Sequence, residues 1–158
     1  MEGSPKIVGS NYFRCYCKLE NLNGSPTYIN GNFSCNGNEL KTLEGSPKKV
    51  MGDFVCSDNL LTSLKGRPQS ISGNNGDFNC ENNILTTLEG RPEIVNGDFN
   101  CQNNKLTNLI GSPRVVNGSF ICSNNPLTSL EGCPKNIYNY FCFYGNTTIK
   151  DIKKEIII

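Results

Sequence analysis

The sequence predicts a mostly β fold, a parallel solenoid of about seven short coils with little helix and with turns and extended segments on its convex side. Three observations predict it. Prolines recur at Pro5, Pro26, Pro47, Pro68, Pro92, Pro113 and Pro134, so five of the six intervals are 21 residues and one is 24. A short period sustained over a chain marks stacked repeats, because one such unit cannot bury its own apolar side chains. Six of the seven units also carry a Phe-x-Cys pair between Gly and Pro turns, the period-2 pattern of a short strand with one buried face. Finally, alanine is absent while Gly reaches 16 residues and asparagine is abundant, so helix has few good formers.

The template between prolines is P-x-x-V/I-x-G-x-F-x-C-x-x-N-x-L-T-x-L-x-G-x-P, with a phenylalanine column read as Phe13, Phe33, Phe54, Phe78, Phe99, Phe120 and Phe141. One strand is expected per unit, hydrogen-bonded in parallel to the next at about 4.8 Å, which makes a rod roughly 30 to 35 Å long. The 24-residue interval is a local insertion: residues 71–78 read ISGNNGDF where neighbouring units have VMGDF and VNGDF. The return path L-x-G-x-P-x-x-V interrupts helix twice within eight residues, since Gly and Pro are the weakest helix residues.

The F-x-C-x-x-N-x-L-x-x-L phrase resembles the L-x-L-x-x-N-x-L core of leucine-rich repeats, with Phe and Cys in two leucine places, from about Pro5 to Asn146. LTSLEGCPKNI and its relatives are similar to the short-repeat proteins of large bacteriophages and some bacteria. The resemblance implies a right-handed, leucine-rich-repeat-like solenoid. In place of the usual first leucine stands a Val or Ile one position earlier followed by glycine, as in Val50-Met51-Gly52, which implies a differently bent strand entry.

Cys15, Cys35, Cys56, Cys80, Cys101 and Cys122 are read as a ladder of small, buried, free thiols, since free cysteine is among the most buried side chains. Zinc or a disulfide stack is the competing reading. A straight ladder diverges from the tetrahedral convergence that zinc requires, and no metal and no cofactor is expected. Asn38, Asn59, Asn83, Asn104 and Asn125 form a second column, three residues after each ladder cysteine. In the family resembled, this residue turns inward and hydrogen-bonds the backbone of adjacent coils, satisfying groups otherwise buried unpaired.

The ends depart from the template. Cys15 is followed by Tyr16-Cys17-Lys18-Leu19, read as one residue short and lacking the asparagine, and the amino end shows no obvious cap. In the last coil Phe143 is expected on the inward ladder, Asn146 on the asparagine column, and Cys142 and Cys133 outside the ladder. Residues 1–146 are therefore assigned to the solenoid and 147–158, with Ile149, Ile152 and Ile156 to Ile158, to a C-terminal capping segment. Uncapped strand edges invite pairing, so a homo-oligomer through the solenoid ends is an open expectation. No signal-peptide pattern and no membrane-spanning run occurs, which predicts a cytoplasmic protein, in the host cytoplasm if phage-encoded.

Function is expected on outward strand positions, and the resemblance implies the concave strand face. Asp53, Asp77, Asp98 and Glu81 form an acidic middle, and Tyr12, Tyr16, Tyr140 and Tyr144 form aromatic ends. Stacked like charges are unfavourable in a sheet and tyrosines anchor interfaces, so these residues are candidates for binding a basic protein; a plain solvated face is the competing reading. Lys48, Lys49, Arg67, Arg91, Arg114 and Lys135 lie around the G-x-P bends with Glu44, Glu89 and Glu131 nearby, a solubilising mixture. Net charge is +1 and no aromatics interleave with the basic residues, so nucleic acid is not an expected partner. With no histidine and no nucleophile or phosphate-loop motif, an enzyme is not expected. The threonine column Thr62, Thr86, Thr107 and Thr128 is single and interrupted, a poor ice-binding face. The expectation is a non-enzymatic module that masks or sequesters a protein partner, as a phage factor against a host or defence protein; the alternative is a self-assembling virion or scaffold component.

Overall fold

The computed structural model describes residues 5–145, and among them every regular element is a two-residue strand. In chain order these are β1 (Ile7–Val8), β2 (Tyr12–Phe13), β3 (Tyr28–Ile29), β4 (Phe33–Ser34), β5 (Lys49–Val50), β6 (Phe54–Val55), β7 (Ser70–Ile71), β8 (Phe78–Asn79), β9 (Ile94–Val95), β10 (Phe99–Asn100), β11 (Val115–Val116), β12 (Phe120–Ile121), β13 (Asn136–Ile137) and β14 (Phe141–Cys142). The even-numbered strands form one seven-stranded parallel sheet, so the chain is a parallel β-solenoid in which each strand meets its counterpart one coil away.

The expectation of one strand per coil is corrected to two. The P-x-x-V/I segment pairs as well, in a four-stranded sheet β1-β3-β5-β7 and a three-stranded sheet β13-β11-β9. This strand escaped the sequence reading because it buries a single apolar residue, such as Val50 or Val116, too little for an alternation to register. The second sheet breaks at the insertion. Ser72 N–H donates to Val50 C=O and Asn117 N–H donates to Val95 C=O, each at 2.9 Å, but Asn96 N–H does not reach Ile71, and the Asn96 side chain donates to Gly73 C=O at 3.1 Å instead. The extra residues push β7 away from β9.

The core is a set of columns. Phe33, Phe54, Phe78, Phe99 and Phe120 are fully buried, with successive ring centroids 5.4, 5.4, 5.3 and 5.5 Å apart, a separation at which ring pairs add about 0.5 to 1.5 kcal/mol to the gain from burial. Leucines such as Leu40, Leu43, Leu85 and Leu88 are fully buried in the same core. Glycine is required at the G-x-P bends of Gly45, Gly66, Gly90 and Gly132: Gly90 has φ +90°, and a Cβ there would lie 2.5 Å from the Leu64 carbonyl carbon, so both backbone strain and the neighbouring coil exclude a side chain.

The ladder cysteines Cys35, Cys56, Cys80, Cys101 and Cys122 are buried free thiols. Cys35, Cys56 and Cys80 each donate a weak S–H bond to a carbonyl of the following coil, at 3.5, 3.4 and 3.3 Å. Burial, reinforced by neighbouring thiols, pushes all five well above the ordinary thiol range. Beside them the asparagine column clamps adjacent coils. Asn104 Nδ2 donates to the carbonyls of Cys80, Cys101 and Gln102, each at 3.1 Å, and its Oδ1 accepts Leu85 N–H at 2.9 Å. Asn38, Asn59, Asn83 and Asn125 repeat this pattern of donors and acceptors. The residue just before each, Gly37, Asp58, Asn82, Asn103 or Asn124, has φ between 52° and 66°. That left-handed corner selects Gly, Asn or Asp, and it explains the Asn-Asn pairs in the sequence.

The first coil corrects the sequence reading. Tyr12 pairs with Phe33 and Phe13 with Ser34, so a strict 21-residue spacing holds and the coil is not short, although Cys17 stands where later coils have their asparagine. Tyr12, not Phe13, stands in the phenylalanine column, with Arg14 in the cysteine column in place of Cys15. Arg14 Nε donates to the Tyr12 hydroxyl at 2.9 Å and its guanidinium carbon lies 5.1 Å from the ring centroid. The first coil therefore carries polar tips where later coils are apolar. In the last described coil Phe141 continues its column and Phe143 packs against the core, 5.0 Å from the Phe141 ring. Asn146 and the capping segment 147–158 lie outside the described residues.

Candidate interaction surface

The seven-stranded sheet turns its Phe and Cys columns inward, so its outward face is built from the residues between and beside them. Asp53, Asp77 and Asp98 immediately precede β6, β8 and β10 and are half-buried. Each carboxylate Oδ1 accepts the backbone N–H of its counterpart in the next coil: Asp77 N–H on Asp53 at 3.0 Å, Asp98 N–H on Asp77 at 2.7 Å and Ser119 N–H on Asp98 at 2.6 Å. Two asparagines begin the same ladder. Asn11 accepts Asn32 N–H at 2.8 Å and Asn32 accepts Asp53 N–H at 3.0 Å, and the Asn32 amide also donates to Asp53 Oδ2 at 2.9 Å. The Oδ2 atoms of Asp77 and Asp98 have no protein donor among the described residues.

Glu81 lies on the same face, inside a frame of amides. Asn79 Nδ2 donates to its Oε1 at 3.3 Å, Asn100 Nδ2 donates to Oε2 at 2.9 Å, and Gln102 Nε2 donates to Oε2 as well. None of the four carboxylates takes part in an ion pair among the described residues; the three pairs found there, Lys65–Glu89, Arg91–Glu93 and Arg114–Glu93, all lie elsewhere. Burial raises the Asp77 carboxyl above its ordinary range, the Asp98 N–H bond opposes the rise, and the charges of Asp53 and Asp98 add to it.

The aromatic ends are distributed differently from the expectation. Tyr140 and Tyr144 are exposed at the last described coil, joined by the exposed Tyr138. Tyr12 is corrected from an outward position to the core column, stacked on Phe33 with centroids 6.1 Å apart. Tyr16 is corrected from the strand face to the left-handed corner, φ 53°, where its ring lies over Gly37 so closely that a Cβ there would come within 2.3 Å of it. Phe13, 59% exposed, takes the outward place in the first coil. Counting 21 residues back from Phe33 would have found this.

Cations gather on a different part of the coils, at the G-x-P bends around Pro47, Pro68, Pro92, Pro113 and Pro134. Arg67 Nε donates to Gly90 C=O at 2.7 Å, its other guanidinium nitrogens donate to Arg91 C=O at 3.1 Å and to Pro68 C=O, and Arg91 Nε donates to Ser112 C=O at 3.1 Å. A groove lined by Arg91, Glu93, Arg114, Cys133 and Lys135 runs across three coils. Burial holds the Cys133 thiol up at about 11. Among the described residues no group of three or more His, Cys, Asp or Glu is placed to hold a metal ion, and no helix is long and apolar enough to cross a membrane.

Fold and surface together define the class, a parallel β-solenoid with an acidic sheet face and basic bends. Comparison with protein-family models, with curated proteins and with solved structures finds no match for this chain.

Proposed function

We propose that this chain is a non-enzymatic protein-binding module whose working surface is the outward face of the seven-stranded sheet. One observation carries the reading. Asn11 and Asn32 supply the same side-chain acceptor as Asp53, Asp77 and Asp98, so the ladder needs an acceptor oxygen and not a charge. Three stacked like charges oppose folding by about 0.2 to 1 kcal/mol per neighbouring pair, and binding to a basic surface accounts for their presence. The strands, side-chain ladders and Glu81 frame hold the face in one arrangement, so little ordering entropy is lost on association. The leucine-rich-repeat resemblance to short-repeat phage proteins supports a role in masking a host or defence protein in the cytoplasm of a bacterial host.

The test is a pull-down from bacterial lysate with the native chain beside an Asp53→Asn, Asp77→Asn, Asp98→Asn variant, which keeps every ladder acceptor. Capture of a basic protein by the native chain, and its loss by the variant, is the expected result. Equal capture by both would show that the acidic strip is not the working surface. Self-assembly through strand edges is the second reading, favoured by β1 and β2, which end their sheets and pair on one side only.

A further inference from the structure

We infer that the acidic face binds the basic bends of a second copy of this chain, side by side; the inference rests on the reading that this face binds protein. Its basis is a match of charge and period. Asp53, Asp77 and Asp98 come one per coil and are tied to successive backbone N–H groups, so they repeat at the strand spacing of about 4.8 Å. At the bends Lys48, Arg67, Arg91, Arg114 and Lys135 also come one per coil, over five successive coils, with Arg67 and Arg91 just before the proline and the other three just after it, so they rise with the same coils while filling two neighbouring positions. Arg67 and Arg91 are held in place by backbone carbonyls. Glu93 offsets part of this charge through its contacts with Arg91 and Arg114, and Lys48 and Lys135 remain exposed.

An extended peptide presents same-side cations every two residues, about 6.7 Å, and drifts out of phase by about 2 Å at each rung. A second solenoid does not drift. The net charge of +1 sets up little long-range repulsion between copies. Because the two patches differ, the contact is heterologous and leaves a free acidic face on one copy and free bends on the other.

Sedimentation velocity on the full chain tests this, at about 0.01 M and about 0.5 M salt. Association is expected at low salt, weakened at least about tenfold at high salt. The triple Asp→Asn variant and an Arg114→Gln, Lys135→Gln variant should each associate less, and mixing them should restore a complex that stops at two copies, since each supplies the patch the other lacks. A monomer at low salt, association indifferent to either variant, or a mixture that stays monomeric would overturn the inference. Capture of a foreign basic protein by a monomeric native chain, lost in the triple variant, would overturn self-association and leave the binding reading standing. If neither capture nor association responds to the triple variant, both fall.

Discussion

The Asp77 carboxylate accepts the backbone N–H of Asp98 at 2.7 Å, one coil further along, and so fixes two like charges one above the other. The folded chain raises the Asp77 carboxyl, chiefly by burial. A carboxyl raised on folding binds its proton more tightly in the folded state, so the ionised form detracts from stability at neutral pH and that deficit disappears as pH falls through the raised value. Asp77→Asn keeps the acceptor and removes the charge. Chemical denaturation at pH 7 should show it more stable than the native chain by about 0.2 to 1 kcal/mol, with the difference shrinking on acidification.

Asn104→Ala removes one acceptor and one amide donor group engaged with four backbone positions in two coils. Leu85 N–H and the Cys80 and Cys101 carbonyls lose a partner in a buried setting, at a cost of about 1 to 3 kcal/mol for such stranded groups. Urea denaturation of the variant measures the loss, and a change below a few tenths of a kcal/mol would refute the clamp.

Thiol labelling should divide the cysteines by burial. Cys17 is exposed, whereas Cys35, Cys56, Cys80, Cys101 and Cys122 are buried and pushed upward by burial, so little thiolate is available to react. Mass spectrometry of the folded chain treated with a thiol reagent at neutral pH should find Cys17 modified first and the five ladder thiols modified only at the rate of unfolding.

The break in the second sheet makes a local prediction with a built-in control. Asn96 and Asn117 share the same V-N-G surroundings, but only Asn117 N–H reaches a ladder carbonyl, Val95 at 2.9 Å. Hydrogen exchange should be at least about tenfold faster at Asn96 than at Asn117, because an amide without a ladder bond exchanges without a sheet opening. Equal protection would mean that β7 and β9 pair in solution.

Much of the fold was legible in the repeat. The Phe33 to Phe120 and Cys35 to Cys122 columns follow from spacing alone, since apolar residues at a constant interval have only one common side to occupy. The first coil was misplaced because residue identity, Phe13, outweighed the interval that points to Tyr12. The Asp53, Asp77 and Asp98 strip was legible as a row of charges on one face, but its hydrogen bonds were not: they join a side chain to a backbone group 21 or 24 residues away.

By itself the sequence determined the period, the strand-forming phrase, the inward columns and the place of the insertion, because these depend on side-chain size, polarity and backbone freedom, which each residue carries with it. Tertiary structure alone decided the second strand of each coil, the broken pairing between β7 and β9, and which carboxylate oxygens are engaged and which are left to solvent. Hydrogen bonds and charge contacts act over a few ångströms, and the atoms they join become neighbours only after each coil has closed upon the one before it.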